Sequence, residues 1–235
     1  MQDDPGSSGA GTSDAEKDEF VRFLLDSDVL TFGDFTTKSG RRTPYFVNTG
    51  RYRSGPQIER LGQFYARRIH GVLGTDVDVL FGPAYKGIPL AVATAQAFAR
   101  EYGKAVGFCF DRKEAKEHGE GGVLVGHVPR DGERVVIVED VTTAGTSVRE
   151  TVPKLRAAAN VELAGLCVSV DRQERGRGPH SALTELAEEF AMPTLALVTL
   201  DDVLAFLARS PVEVPGVDAA FWARVEAYRA EFGAV

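Results

Sequence analysis

Five short apolar runs, alternating with segments of helical character, constrain the fold of this 235-residue chain more than any other feature. The runs lie at residues 77–81, 105–110, 135–138, 163–170 and 194–198. Such runs are typical of strands buried on both faces of a parallel sheet that helices cover. The pattern predicts an α/β fold with a twisted, mainly parallel, five-stranded sheet, whose flanking helices lie at residues 90–101, 146–159 and 181–190. Pro153 should kink or shorten the second of these helices, because it removes a backbone hydrogen bond.

The segment before the first run predicts a smaller N-terminal element. Residues 1–13 are Gly, Ser, Asp and Thr with few apolar side chains, which is typical of a disordered tail rather than of a signal peptide. Ser13 and Glu16 have capping-box spacing at the start of a helix, and two β-rich stretches around residues 38–41 predict a hairpin. We expect one domain over residues 14–235, with a hood at about 14–55, a core at about 56–200 and C-terminal helices at 201–235.

Charge and cysteine content narrow the class of protein. The chain has 34 acidic and 27 basic residues, a formal charge of -7, so it repels nucleic acid and anionic lipid unless bases are concentrated locally. Its two cysteines lie in apolar runs and predict reduced core thiols. No run approaches the roughly 18 apolar residues of a membrane span. We expect a cytoplasmic protein that binds neither nucleic acid nor a membrane.

A strand followed by two acids and a Thr/Gly/Ser turn, at residues 135–147, predicts a phosphate site. Ligands of open α/β sheets bind beyond the carboxyl ends of the strands, where a helix start offers unpaired N–H groups. Gly145 permits close backbone approach, and the neighbouring Thr and Ser hydroxyls add donors. Glu139 and Asp140 suit the hydroxyls of a ribose beside that phosphate, or a metal bridging to it.

The segment at residues 139–147 resembles the phosphoribosyl pyrophosphate (PRPP) motif of the type I phosphoribosyltransferases. That family usually has Asp at the first acid, where this chain has Glu139, one methylene longer. A second segment, residues 80–87, matches the pyrophosphate loop of the family. The resemblance implies a PRPP site composed of Tyr85, Lys86, Glu139, Asp140, Val141, Thr142, Thr143, Ala144, Gly145, Thr146 and Ser147.

Cations crowd residues 112–118, and Gly119, Gly121 and Gly122 follow them. A basic loop between glycine hinges, in an acidic protein, suits a lid over a polyanion; a solvated charged loop is the alternative reading, and the interleaved Glu114 and Glu117 fit it. Residues 110–122 closely resemble the flexible catalytic loop of the orotate phosphoribosyltransferases. By that resemblance the loop reaches the site of the neighbouring subunit in a homodimer. It contributes PRPP-binding Arg112, Lys113, Lys116 and His118, of which Lys116 and His118 are catalytic together with Asp140.

Two further segments resemble the orotate side of the same family. Residues 38–46 match its N-terminal element, and residues 171–176 match its second orotate-binding segment. A guanidinium at Arg172 could bind the orotate carboxylate or a carbonyl with fork geometry; a cation on a surface turn is the alternative reading. The resemblance assigns Lys38 to PRPP and assigns to orotate Tyr45, Phe46, Thr143 and Arg172.

The resemblance extends from Phe20 to Phe232 and implies a reaction. Ribose 5-phosphate would pass from PRPP to orotate, giving orotidine 5'-monophosphate and pyrophosphate in pyrimidine synthesis. Mg²⁺ would assist, held mainly by the substrate rather than by protein ligands. Two alternatives remain open: a phosphoribosyltransferase for a purine base, which should lack the loop and the orotate set, and a non-catalytic PRPP sensor that binds nucleic acid, which would need a basic face.

Overall fold

The computed structural model describes residues 12–37, 40–112, 123–142, 144–211 and 213–235, so residues 1–11 of the predicted tail lie outside the description. In chain order its strands are β1 (Leu30–Thr36), β2 (Arg42–Val47), β3 (Val79–Phe81), β4 (Gly107–Asp111), β5 (Leu124–Gly126), β6 (Arg134–Glu139), β7 (Glu162–Asp171) and β8 (Thr194–Thr199). β1 and β2 form the predicted antiparallel hairpin. The others form one sheet in the order β5-β4-β3-β6-β7-β8.

The predicted mainly parallel sheet is confirmed, but it has six strands rather than five. Each predicted run overlaps one of the parallel strands, from β3 to β8. The additional strand is β5, which pairs antiparallel with β4 at the sheet edge. It has only three residues, two half-buried and one exposed, and ends at Gly126. Its apolar residues form a run of only three, Val123 to Val125, which is shorter than the five runs that predicted strands.

The helices are α1 (Asp14–Asp26), α2 (Gly55–Leu73), α3 (Gly87–Tyr102), α4 (Thr146–Ala158), α5 (Ala182–Phe190), α6 (Leu200–Arg209) and α7 (Ala219–Phe232). The predicted capping box is confirmed at the start of α1, where the Ser13 side chain accepts from the Glu16 backbone and the Glu16 side chain accepts from the Ser13 backbone. Pro153 lies inside α4, which continues to Ala158, so the proline does not end the helix. None of the helices in the described part of the chain has the length and apolarity needed to cross a bilayer.

Helices cover both faces of the sheet, which explains why its strands are apolar throughout. Along β6, Val136 and Val138 belong to a core shared with α1, α2, α3, α6 and α7. Val135 and Ile137 point the other way, into a second core with α4 and α5. Because neighbouring side chains on a strand point to opposite faces, burial of both faces removes any polar alternation.

The strand order places a crevice between β3 and β6. β4 lies next to β3 on one side, and β6 lies next to β3 on the other. From β6 the sheet continues outward through β7 and β8. This reversal is the position at which open α/β sheets bind ligands, beyond the carboxyl ends of the strands. β3 leads into the loop at residues 82–86, and β6 ends at Glu139. The neighbouring strand β7 ends at Asp171.

Candidate active site

The two acids at the end of β6 have different partners. Asp140 faces the crevice: its Oδ2 accepts hydrogen bonds from Lys86 Nζ, at 2.8 Å, and from the Thr49 hydroxyl. Glu139 turns towards α4, where its Oε2 accepts a 2.6 Å hydrogen bond from the Ser147 hydroxyl. The acid pair therefore presents one carboxylate to a ligand and uses the other to support the turn.

These environments separate the pKa values of the two carboxyl groups. Burial raises the pKa of Glu139 to about 7, the Ser147 hydrogen bond opposes this only in part, and the Asp140 charge adds to the rise. Burial also acts to raise the pKa of Asp140, but hydrogen bonds from Lys86 and Thr49 outweigh it and hold that pKa below its usual range. Asp140 is therefore a carboxylate at neutral pH, whereas Glu139 titrates near neutrality.

Buried hydroxyl groups fix the main chain at this turn. The Tyr65 phenol donates a 2.6 Å hydrogen bond to the Glu139 carbonyl. The Asp140 carbonyl accepts from both the backbone N–H and the hydroxyl of Ser169, on β7. Each carbonyl at the strand end is thus satisfied by a neighbouring element, and the Asp140 carboxylate is held on a fixed backbone.

The predicted phosphate turn leads directly into α4. Gly145 has a left-handed backbone, with φ of 68°, and its N–H donates to the Thr142 hydroxyl at 3.1 Å. No side chain among the described residues caps α4, so the cap leaves its first N–H groups available to a ligand. Arg149 secures the turn from behind, because it donates to the Ala144 carbonyl and pairs with Glu189 at 2.6 Å. An anion fits the start of this helix.

The loop at residues 82–86 is anchored on its far side by a buried acid. Asp111, at the end of β4, accepts a 2.8 Å hydrogen bond from the Ala84 N–H and pairs with Lys154 of α4. Gly82 and Gly87 meet at the base of the loop, where a side chain at Gly82 would begin 2.0 Å from the Gly87 carbonyl oxygen. Lys86 is thereby aimed at Asp140 from the opposite wall of the crevice.

A cavity of about 190 Å³ opens beside the Lys86–Asp140 pair. Its polar wall includes Thr49 and Ser169, and its apolar wall comes from α2 and the start of α3. The Tyr52 hydroxyl is buried and has no hydrogen-bond partner among the described residues. The crevice therefore combines one carboxylate, one ammonium group and several hydroxyls around an open volume.

On the other side of Asp140, the chain after β7 presents Arg172. Its guanidinium lies 5.3 Å above the Tyr45 ring, and its Nη2 is 2.7 Å from a Glu174 carboxylate oxygen. Tyr45 itself is 1% exposed, so it supports the arginine from below. Its neighbour Phe46 is 39% exposed and stacks on Phe35, with ring centroids 5.6 Å apart.

Several predicted site residues lie outside the described part of the chain: Lys38, Lys113, Lys116, His118 and Thr143. Arg112 is described at the stem of the loop, where its N–H donates to the Val123 carbonyl at 2.8 Å. The sequence did not indicate Thr49, Tyr65 or Ser169. Thr49 follows β2 in a polar turn and Tyr65 interrupts an apolar helix face, but neither pattern by itself points to a ligand.

Comparison with known proteins decides the family. Residues 48–189 match the phosphoribosyl transferase domain. The chain is 52% identical over 218 residues to the orotate phosphoribosyltransferase of Lachnoclostridium phytofermentans, a match that covers 92% of this chain and 97% of that protein. The chain belongs to the orotate phosphoribosyltransferase family. The orotate phosphoribosyltransferase of Clostridium acetobutylicum is 50% identical over 218 residues, which cover 92% of this chain and 97% of that protein.

The orotate phosphoribosyltransferase fold is also shared with a crystal structure. The structure of the Francisella tularensis orotate phosphoribosyltransferase superposes with a TM-score of 0.78 at 36% sequence identity. The match covers 92% of this chain and 100% of that chain. Since so nearly the whole chain is matched, the hairpin and C-terminal helices belong to the family fold together with the central sheet.

Proposed function

We propose that this protein transfers the ribose 5-phosphate group of PRPP to orotate, giving orotidine 5'-monophosphate and pyrophosphate in pyrimidine nucleotide synthesis. One observation carries the proposal: Lys86 and Asp140 meet across the crevice between a phosphate turn and Arg172. A phosphorylated ribose requires this arrangement when it has a charged leaving group on one side and an anionic base on the other. The family membership of the chain agrees with it.

PRPP binding would exchange partners at the Lys86–Asp140 pair. The 5'-phosphate lies at the start of α4, where the turn at residues 142–147 supplies N–H groups and hydroxyls. Lys86 then pairs with the pyrophosphate group instead of with Asp140. The Asp140 carboxylate, without its lysine, accepts hydrogen bonds from the ribose hydroxyls. Glu139 stays behind the turn with Ser147, as the structure has it.

The reaction itself moves charge from one wall of the crevice to the other. The C1–O bond of PRPP breaks and its electron pair leaves with pyrophosphate, while N1 of orotate bonds to C1 and its proton passes to the departing pyrophosphate. Positive charge develops on the ribose ring beside Asp140, and negative charge grows on the leaving group beside Lys86. Fixed charges of the matching sign stabilise both changes.

The loop cations would complete the leaving-group side. Arg112, Lys113, Lys116 and His118 neutralise pyrophosphate, with Lys116 the most directly catalytic and His118 able to donate a proton near neutral pH. We place them across a homodimer interface, in the partner's site. Exposed apolar side chains at the stem of the loop support an interface there, since Phe108, Val123 and Val128 are 39%, 42% and 50% exposed.

The residues present fit a Mg²⁺ ion that the substrate mainly holds. No group of three or more His, Cys, Asp or Glu side chains that could hold a metal occurs among the described residues. Asp140 is the acid that faces the crevice, so it could add one oxygen to a shell otherwise built from PRPP oxygens and water. When bound, the ion neutralises the charge of the leaving pyrophosphate.

Arg172 gives the base side its preference for an anion. We assign orotate to the space before this guanidinium, with Phe46 and Thr143 as further contacts and Tyr45 as the support beneath. The free, buried thiols of Cys109 and Cys167 support a reducing compartment, so we place the reaction in the cytoplasm.

Pyrophosphate release tests the proposal directly. The protein is incubated with PRPP and Mg²⁺, and orotate, uracil and hypoxanthine are compared as acceptors. We expect release with orotate, at least tenfold slower release with uracil and none with hypoxanthine. Faster turnover of hypoxanthine would move the protein to the purine branch, and binding of PRPP without turnover of any base would indicate a sensor.

A further inference from the structure

A single buried carboxylate organises the base side of the crevice. Glu174 is 9% exposed and collects four hydrogen-bond donors. Its Oε1 accepts from the phenols of Tyr45, at 2.7 Å, and of Tyr228, at 2.8 Å, and lies 2.7 Å from Arg172 Nη2. Its Oε2 pairs with Arg41 Nη1 at 3.0 Å. A charged acceptor saturated in this way fixes its donors as much as they fix it.

We propose that Glu174 is a positioning residue, which holds the Arg172 guanidinium in the orientation that selects a carboxylate-bearing base. The inference rests on the proposed function. Glu174 occupies one edge of the guanidinium and the Tyr45 ring supports its face, at 5.3 Å. The Arg172 Nε is buried and has no partner among the described residues, so a donor remains for a ligand.

The charges around Glu174 favour an anionic ligand. Two guanidinium groups, of Arg41 and Arg172, face one carboxylate, which leaves one positive charge in excess within this cluster. The preceding acid, Asp171, accepts from the Gln173 N–H at 2.8 Å and lines a separate groove with Ser181. The carboxylate of orotate would balance the excess charge, whereas uracil would not.

The C-terminal region supplies one of the four donors to Glu174 and braces the chain around it. Tyr228 reaches it from α7, and the segment after α7 pairs with the chain around it. The Arg175 N–H donates to the Phe232 carbonyl and the Ala234 N–H to the Gln173 carbonyl, each at 2.9 Å. The base-side arginine is therefore positioned by an element more than fifty residues away in the sequence.

Glu174→Gln is the decisive variant, because the amide keeps the shape and loses the charge. We expect the KM for orotate to rise about tenfold, the effect of one charge-assisted hydrogen bond, while the KM for PRPP stays within about twofold. The preference for orotate over uracil, as a ratio of kcat/KM values, should fall by a similar factor. Tyr228→Phe removes one of the four donors and should raise the KM for orotate about threefold.

Glu133→Gln is the matched control. Glu133 also accepts from a side chain and a backbone N–H, of His127 at 2.9 Å and of Arg130 at 2.8 Å, but it precedes β6 at the opposite end of the sheet. Both KM values should stay as in the unmodified protein.

Three outcomes overturn the inference: an unchanged KM for orotate in Glu174→Gln, an equal rise in both KM values, or an unchanged preference over uracil. If Glu174→Gln does not fold, the KM values of Tyr228→Phe decide instead, and an unchanged KM for orotate in that variant overturns the inference. The unmodified protein separates this inference from the function on which it rests, since inactivity with orotate would overturn the proposed function itself.

Discussion

Two adjacent carboxyl groups at the end of β6 differ in what surrounds them rather than in their chemistry. Asp140 is held charged by Lys86 and Thr49, whereas Glu139 is buried against Ser147. Only the first is placed to steady positive charge on a ribose ring.

Asp140→Asn tests that division. The variant removes the charge beside the developing cation, so we expect kcat to fall about 100-fold or more. Asp131→Asn is the control, since Asp131 lies on the loop that precedes β6 and accepts a 2.7 Å hydrogen bond from the Asn160 N–H, just before β7. Steady-state pyrophosphate release measures both, and retention of most activity in Asp140→Asn would show that this acid does not act in the reaction.

Glu139 should make the stability of the ligand-free protein depend on pH. Its pKa in the folded protein, about 7, lies above the usual 4.5 of a glutamate, so the folded state holds the proton more tightly than the unfolded state between these values. Stability from this group is complete below about pH 4.5 and is lost as pH rises through 7. Relative to Glu139→Gln, the unmodified protein should lose up to about 3 kcal/mol of unfolding free energy between pH 4.5 and 8. Urea titrations at each pH give the difference, and parallel curves would contradict the assignment.

The individual contacts of the site could be predicted only in part. The acids, the turn and Arg172 carry local patterns, because each follows a strand end. Thr49 and Asp140 are 91 positions apart, and Tyr228 and Glu174 are 54 apart. Such pairs depend on how whole elements pack, and no local pattern records them.

At the scale of elements, the loop at residues 82–86 is supported by Asp111 as well as by the hydrogen bond from the Gly87 N–H to its own Pro83 carbonyl. Asp111 links it to α4 through Lys154, and the same aspartate ends β4 just before the stem of the predicted lid. The loop at residues 82–86, the end of β4 and helix α4 thus share one buried acid.

Lys154→Met should weaken that link. It leaves the buried Asp111 carboxylate without its cation, and because Lys154 is one-third exposed we expect a loss of only about 1–2 kcal/mol in unfolding free energy. The KM for PRPP should rise severalfold and that for orotate should not.

Lys104→Met is the comparison for that variant. Lys104 lies 3.7 Å from Asp78 in a pair in which both side chains are about one-third exposed, so its loss should cost less than about 0.5 kcal/mol. Equal losses in the two variants, measured by urea unfolding, would contradict the supporting role of Asp111.

The elements were predictable where burial is complete. Strands covered on both faces appear in the sequence as apolar runs, and these runs predicted the parallel sheet. The hairpin was predictable, but the side on which each residue lies was not. Tyr45 and Phe46 alternate across β2, so one enters the core and the other faces outward. The sequence alone could not distinguish them.

At the scale of the whole molecule, the proposed function places the basic loop of each subunit in the site of a partner subunit. Arg112 and Val123 close the stem beside the exposed apolar side chains of β4 and β5. These side chains lie at the sheet edge, so we propose that the dimer interface includes them.

Mixed dimers test this arrangement. We expect Asp140→Asn and Lys116→Ala each to have little activity by themselves, and the two variants are dissociated and reassociated together. If loops serve the partner, half of the dimers are mixed and one of their two sites is intact, so roughly a quarter of native activity should return. Subunit exchange, verified by labelled chains, without recovered pyrophosphate release would rule out shared sites.

The contact between Gly82 and Gly87 gives the two halves of the crevice different capacities to evolve. The contact joins main chain to main chain, so a methyl group at either glycine would collide with backbone atoms. A substitution of a side chain elsewhere cannot relieve that collision. The base side is held by hydroxyl, carboxylate and guanidinium groups, which single substitutions can exchange one at a time. If the proposed roles hold, selection can alter which base is accepted while the loop proposed to bind the leaving group keeps its geometry.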